Sequence, residues 1–396
     1  MWLDSHWSLP VLSAENGPAP FSASGGLHVR VPMADLVAQY QSIKHEVDSA
    51  VREVMETGRF ILGENVKCLE EEIAQFSGAA HGVGVNSGTD AIALALAAVG
   101  VGRDDEVITT PFTFVATSEV IALLGAKPVY TDIDPVTFNL DPAQIESKIT
   151  DKTKAILPVH LYGRAADVER ISEIAGRHGL KVIYDGAQAI GAEALGKPIG
   201  AHGDAVTLSF FPTKNLGAAG DGGMVLTGDE ELAEKVRSLR FHGSGGTYAY
   251  THIGYCSRLD AIQAAILRTK LPHLEDWTES RRRHAGEYRE LLREEPLTLP
   301  EEDGRGRHVY HQFTIRCSDR DRLKEYLKSR DIDTGVYYPG PLHLEEAYRY
   351  LGYKAGDFPE AERACREVLS LPIFPEMTEQ QLAHVASSIR CFYEEQ

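Results

Sequence analysis

The sequence predicts an α/β fold: three layers, with a mostly parallel seven-stranded sheet between helices, and then a smaller α+β C-terminal domain. Three observations predict it. Short apolar runs recur between residues 81 and 227 (HGVGV, EVITT, KPVYTDI, AILPVHLYG, KVIYD, AVTLSFF and GGMVLT), and each has the length of a buried strand. Between them lie segments with apolar residues at three- and four-residue spacing, such as TDAIALALAAVG, TSEVIALLG, ADVERISEIAGRHG and DEELAEKVRSLR, as amphipathic helices require. After residue 270 that alternation stops. Strands alternating with helices favour a parallel sheet covered on both faces.

Taken in order, two helical patterns precede the first strand: ADLVAQYQSIKHEVDSAVREVMET and NVKCLEEEIAQFSG. The seven strand-like runs and their helices follow. A long amphipathic stretch, RLDAIQAAILRTKLPHLEDWTESRRRHAGEYRELL, leads into the C-terminal part, whose strand-like piece is VYHQFTIRC and whose helix-like piece is DRDRLKEYLKSRD. The expected division is a flexible extension over residues 1–28, a large domain over 29–270 and a small one over 271–396. The extension lacks the basic start and continuous apolar core of a signal peptide. Its Trp2 and Trp7 either ride in a disordered tail or dock on a partner subunit.

Composition narrows the function. The 396 residues suit about two domains, and 43% hydrophobic with 25% charged residues is ordinary globular usage. A net charge of −18 with no basic cluster argues against nucleic acid and against an anionic membrane surface. No apolar run approaches the roughly 20 residues needed to span a bilayer. The five cysteines are scattered, with no CxxC pair, which fits a reducing cytoplasm rather than a disulfide or metal framework.

In parallel α/β sheets ligands bind at the carboxyl ends of the strands, and three segments there carry chemistry. In VGVNSGTDAIALAL a strand runs into Asn86-Ser87-Gly88-Thr89-Asp90 and a helix begins at once. Such a helix start offers N–H groups and a dipole to a phosphate; the same residues also read as a plain N-cap. In KVIYDGAQAIGA, Asp185 ends an apolar strand, and a buried carboxylate there needs a cationic or donor partner; a helix N-cap is the alternative. In SFFPTKNLGAAGDGG, Lys214 follows a strand and precedes a glycine-rich turn. A desolvated lysine amine is a nucleophile for aldehydes, whereas a lone lysine is ordinarily solvated. Together the three supply a phosphate anchor, a partner for a pyridinium nitrogen and an amine for a Schiff base, the requirements of pyridoxal 5'-phosphate. A second, looser pattern, Gly82-Val83-Gly84 followed by Gly88, leaves a nicotinamide-dependent sugar oxidoreductase as an alternative, its third glycine one residue late for the dinucleotide fingerprint.

The motifs NSGTDAIALAL, TPFTFVATSEVI, DGAQAIGA, SFFPTKNLGAAGDGG, GYCSRLDAIQAAIL and YYPGPLH, in that order and from residue 30 onward, resemble those of the DegT/DnrJ/EryC1/StrS family of pyridoxal-phosphate-dependent sugar aminotransferases, of the aspartate-aminotransferase-like fold type I. The resemblance implies catalytic roles for Lys214, as covalent anchor and proton shuttle, and for Asp185, which keeps the pyridine nitrogen protonated. It implies that Gln188 bonds the ring hydroxyl, that Gly88, Thr89 and Ser209 hold the phosphate, and that Phe114 stacks on the ring. It further implies a homodimer with shared active sites, in which the stretch from His252 to Asp260 enters the neighbour's site. The family pattern there is Asn, one residue, Arg; this chain has Cys256-Ser257-Arg258, and a thiol is a poor donor to phosphate. Arg258, Tyr338 and His343, with Tyr337 beside them, resemble residues at the substrate end. His242-Gly243 resembles members that aminate C3 of the sugar rather than C4.

The function so implied is transfer of an amino group from an amino acid, glutamate above all, to a keto group of a nucleotide-linked sugar. Some relatives carry histidine at the lysine position and dehydrate the sugar; Lys214 favours amino transfer. A non-enzymatic pyridoxal-phosphate-binding regulator is the other alternative, and the acidic chain has no helix-turn-helix signal for DNA.

Overall fold

A computed structural model describes residues 29–302 and 304–395; the extension over residues 1–28, with Trp2 and Trp7, lies outside the described residues. The seven apolar runs form β1 (His81–Val85), β2 (Glu106–Thr109), β3 (Lys127–Tyr130), β4 (Thr153–Ile156), β5 (Lys181–Asp185), β6 (Ala205–Ser209) and β7 (Gly223–Thr227). They make one sheet in the order β1-β7-β6-β5-β4-β2-β3. The β2/β3, β2/β4, β4/β5 and β5/β6 pairs are parallel. Strand β7 runs antiparallel to both neighbours, β1 and β6, so it alone is reversed.

Alternation along each strand explains why the runs are apolar throughout. Val107, Ile183 and Val225 enter one core with Ile92, Leu96, Val120 and Val236. Their chain neighbours Ile108, Val182, Met224 and Leu226 enter the other, with Leu69, Ile73, Ile171 and Leu267. Successive side chains point to opposite faces, and both faces are covered, so neighbouring positions are apolar alike; a buried polar exception such as Thr207 donates its hydroxyl to backbone, the Tyr184 carbonyl at 3.3 Å.

The smaller unit is an antiparallel pair, Phe313–Arg316 with Val368–Leu371, packed by the helices Leu274–Leu292, Arg320–Ser329 and Glu379–Glu394. The amphipathic stretch before it divides at Pro272: the helix Ala261–Lys270 passes through a 3-10 turn, Leu271–His273, into Leu274–Leu292. The first helical pattern likewise divides, at Ile43, into Leu36–Ser42 and Lys44–Thr57. Val31 packs in the core of the small unit; its backbone bonds Asp331 and Asp333, each at 2.9 Å. The described residues therefore begin against the C-terminal part before entering the large sheet. Among the described residues no helix is long and apolar enough to cross a membrane.

Candidate active site

Strand ends set the site. Gly223, the first residue of β7, pairs with Val85 at the end of β1 and with Ser209 at the end of β6. Asp185 ends β5 beside Thr207 of β6. Ser87 caps the helix Gly88–Ala98, and its hydroxyl accepts the Asp90 N–H at 3.1 Å. That leaves the first N–H groups of the helix without intrahelical partners. Gly88 touches Ser209: a β-carbon on Gly88 would lie 2.6 Å from the Ser209 β-carbon. A β-carbon on Gly223 would likewise run into the Ser87 carbonyl. These two glycines let β6, β7 and the helix start converge into a cradle lined by backbone, with Ser209 at its rim.

Lys214 stands at the end of the tight turn that follows β6. Its backbone N–H donates to the Phe211 carbonyl at 2.8 Å, and Ala218 N–H closes the loop onto Phe210 at 2.8 Å. Asn215 pins the turn from the other side: its amide donates to the Val309 carbonyl at 3.1 Å, and its oxygen lies 3.1 Å from Nδ1 of His311. Because the Asn215 amide nitrogen is spent on Val309, its oxygen is the acceptor, so His311 carries its proton on Nδ1. Burial, and then the Lys214 charge, hold His311 well below the usual histidine range, so it is neutral.

Protein crowds around Lys214, which nevertheless remains partly exposed. That crowding lowers its pKa from 10.5 to about 8, against the opposing pull of Asp185. Asp185 is 5% exposed. Burial raises its pKa, while the Ala187 N–H, the Thr117 hydroxyl and Lys214 oppose the rise. The hydrogen bonds are Ala187 N–H to Oδ1 at 3.1 Å and Thr117 Oγ1 to Oδ2 at 2.8 Å. Gln188 is oriented by the Tyr162 N–H, which donates to its Oε1 at 2.6 Å, so its amide faces the Tyr338 hydroxyl at 3.1 Å. Tyr162 in turn donates its hydroxyl to the Tyr337 carbonyl.

Phe114 is 55% exposed and its ring centre lies 6.3 Å from that of Tyr338. Its neighbour Phe112 is fully buried and meets Tyr338 edge-on at 6.2 Å. Of the two phenylalanines, Phe114 has a free face. Sequence placement thus brings Gly88 with Ser209, Asp185 with Lys214, and Gln188 with Tyr338 and Phe114. Thr89 follows Gly88 in the first turn of the same helix.

Three predicted residues sit apart from this group. Arg258 lies over the Phe241 ring, 5.1 Å from its centre, and donates to the Cys256 sulfur at 2.9 Å, with His242 Nε2 at 3.5 Å. Cys256 is exposed. His343 is 1% exposed, packed edge-on to Phe358 at 4.8 Å, with Nε2 3.2 Å from Glu362. In a single chain its side chain offers no surface to a substrate. The Tyr337 ring, between Tyr338 and the small unit, is partly buried.

Five contributors carry no signal of their role in the sequence. Thr117 donates to Asp185, and Thr113 lies 3.0 Å behind it. Their four-residue spacing was visible, but not the strand end they face. Ser257 lies between Cys256 and Arg258. It is 1% exposed, accepts the Asn86 N–H at 3.2 Å and donates to Asp90 at 2.6 Å, tying this segment to the cradle. The Asn215–His311 pair gave no local signal. A separate cleft of about 450 Å3, lined by Asp134, Asn139, Arg164, Arg170 and Arg305 among others, holds none of these groups.

A pyridoxal 5'-phosphate fits what is present: a glycine-walled helix start for the phosphate, a buried carboxylate, and a desolvated lysine beside it. Comparison with known proteins agrees. The chain is 57% identical over 369 residues to the "Pleiotropic regulatory protein" of Geobacillus stearothermophilus, covering 92% of this chain and 99% of that one. It is 48% identical to the UDP-N-acetyl-3-dehydro-alpha-D-glucosamine 3-aminotransferase of Acidithiobacillus ferrooxidans, covering 91% and 97%. The crystal structure of Streptomyces venezuelae DesV in complex with a ketimine intermediate superposes with a TM-score of 0.91 at 43% identity, covering 92% and 99%. The family model described as DegT/DnrJ/EryC1/StrS aminotransferase family matches residues 41–390. The chain belongs to that family and is a pyridoxal-phosphate-dependent sugar aminotransferase of fold type I.

Proposed function

We propose that this protein transfers the amino group of glutamate to the C3 keto group of a nucleotide-linked sugar. The observation that carries the reading is a crowded Lys214 amine that feels the charge of the buried Asp185, beside a phosphate cradle. The preference for C3 rests on His242-Gly243 and on the relative from Acidithiobacillus ferrooxidans, named for amination at that carbon.

When bound, pyridoxal phosphate supplies an aldehyde for amines to condense with and a ring that withdraws electrons from the carbon being deprotonated. The chain supplies the rest. Gly88, Thr89 and Ser209 hold the phosphate. Asp185 holds the proton on the ring nitrogen, Gln188 bonds the ring hydroxyl, and Phe114 lies against the ring. Lys214 would anchor the cofactor and, with its Nζ free again, would carry a proton away from the donor's α-carbon and pass it on within the first half-reaction, then deliver one to the sugar carbon in the second. A pKa near 8 leaves a useful fraction of the Nζ neutral at physiological pH, which a general base needs.

Arg258 and Cys256 act across a homodimer in this reading. The apolar groups left open around them support a second copy of the chain as the cover: Tyr248, Tyr250 and Ile253 are 62% to 96% exposed, and Phe241 and Tyr255 are exposed too. Tyr338 then faces the sugar, and His343 backs the wall behind it. The working division remains a large domain over 29–270 and a small one over 271–396. A cytoplasmic location belongs to the same reading, and the five cysteines, none in a disulfide, support it.

The test is spectroscopic. Purified holoprotein absorbs at about 400 nm; glutamate should bleach that band, and a nucleotide-linked 3-ketosugar should restore it. A panel containing 4-ketosugars decides the position. A band that no amino donor bleaches contradicts the transferase reading and favours a regulator.

A further inference from the structure

Asp185 is held by a short chain of hydroxyls that the proposed reaction does not use directly. Thr113, Thr117 and Asp185 are 2%, 0% and 5% exposed. Thr117 Oγ1 lies 2.8 Å from Asp185 Oδ2 and 3.0 Å from Thr113 Oγ1. The direction of this chain is forced. A carboxylate only accepts, so the single hydroxyl proton of Thr117 goes to Asp185; Thr117 must then accept from Thr113. The other carboxylate oxygen takes the Ala187 N–H. Two donors thus address a carboxylate that its apolar setting would otherwise favour in the neutral form.

We propose that Thr117, backed by Thr113, is a positioning residue that keeps Asp185 ionised and oriented for the cofactor's ring nitrogen. The inference rests on the reading that Asp185 meets that nitrogen. Donor bonds to a charged group are worth more than those between neutral groups, and a bond from Thr113 polarises the Thr117 hydroxyl further. Removing the Thr117 hydroxyl leaves Asp185 one donor short, and a neutral carboxyl no longer holds the ring nitrogen in its protonated form, keeping at most a weaker, uncharged hydrogen bond to it.

The experiment compares two ligands on the full-length apoprotein: pyridoxal 5'-phosphate, and its carbocyclic analogue in which C–H replaces the ring nitrogen. Their Kd ratio reports the Asp185–nitrogen interaction alone, because phosphate, aldehyde and ring contacts are common to both. Wild type should prefer the natural cofactor. In Thr117→Val that preference should shrink about tenfold, the scale of one hydrogen bond to a charged group, and Thr117→Ser should restore it. Thr113→Val, which leaves the bond to Asp185 in place, should shrink it by about threefold and stands in if Thr117→Val does not fold. Equal weakening of both ligands in Thr117→Val, with the preference intact, overturns the proposal and leaves the threonine a packing residue. Asp185→Ala, which leaves no polar group to meet the ring nitrogen, separates the two layers: it should abolish the preference, and a preference that survives it overturns the Asp185 reading itself.

Discussion

Replacing Lys214 by methionine should stabilise the cofactor-free protein while destroying its activity. The Lys214 pKa is lowered from 10.5 to about 8. A group whose proton is held less tightly in the folded state favours the unfolded chain wherever the unfolded chain is protonated and the folded one resists. Above pH 10.5 neither state carries the proton and there is no penalty. As pH falls from 10.5 to 8 the unfolded state gains the proton first, and below 8 the penalty is complete. A pKa difference of about 2.5 (10.5 − 8) at 1.36 kcal/mol each sets a ceiling of about 3 kcal/mol. Lys214 remains partly exposed, so the gain should be about 1–3 kcal/mol. Urea denaturation of apo wild type and Lys214→Met between pH 7 and 10.5 measures it. The variant should be the more stable at pH 7, and the gap should narrow as pH rises. A gap that is absent, or constant with pH and so only a packing effect of methionine, refutes the claim that burial strains this amine.

Three further outcomes follow from the cradle and its surroundings. Gly88→Ala places a β-carbon 2.6 Å from Ser209; cofactor Kd should rise by about tenfold to a hundredfold at unchanged helix content, since overpacking displaces the helix start. Cys256→Asn supplies the amide donor that the family pattern has at this position, and cofactor affinity measured by absorbance titration should improve about three- to tenfold; an unchanged Kd means Cys256 does not face a phosphate. Ser257→Ala strips the buried hydroxyl that joins Asn86 and Asp90, and should cost about 1–3 kcal/mol in urea denaturation together with cofactor affinity.

The sheet was legible because its signal is local. A strand buried on both faces is apolar at successive positions, and β2, with Val107 and Ile108 in opposite cores, shows why. Asp185 and Lys214 were legible for the opposite reason: each is an ionisable group where such a run stops. What stayed hidden depends on contacts between distant segments. Thr117 meets a carboxylate 68 residues away, Asn215 a histidine 96 residues away, and Ser257 an aspartate 167 residues away. Nothing within a few residues of these side chains distinguishes them from ordinary surface threonine, asparagine or serine. Val31 crosses further still, joining a core made by the last hundred or so residues. His343 shows the converse limit. Its motif pointed to the sugar, yet the chain folds it behind the pocket against Glu362, on the helix Pro359–Glu367, a pairing that no local pattern announces.

The central claim is that Lys214 is the covalent anchor of the cofactor. Borohydride reduction of the purified holoprotein, then proteolysis and peptide mass spectrometry, tests it most directly. The account predicts a phosphopyridoxyl group on Lys214, lost when the protein is first treated with glutamate. A label on another lysine, such as the desolvated Lys270, or no label on a protein that binds the cofactor, contradicts it.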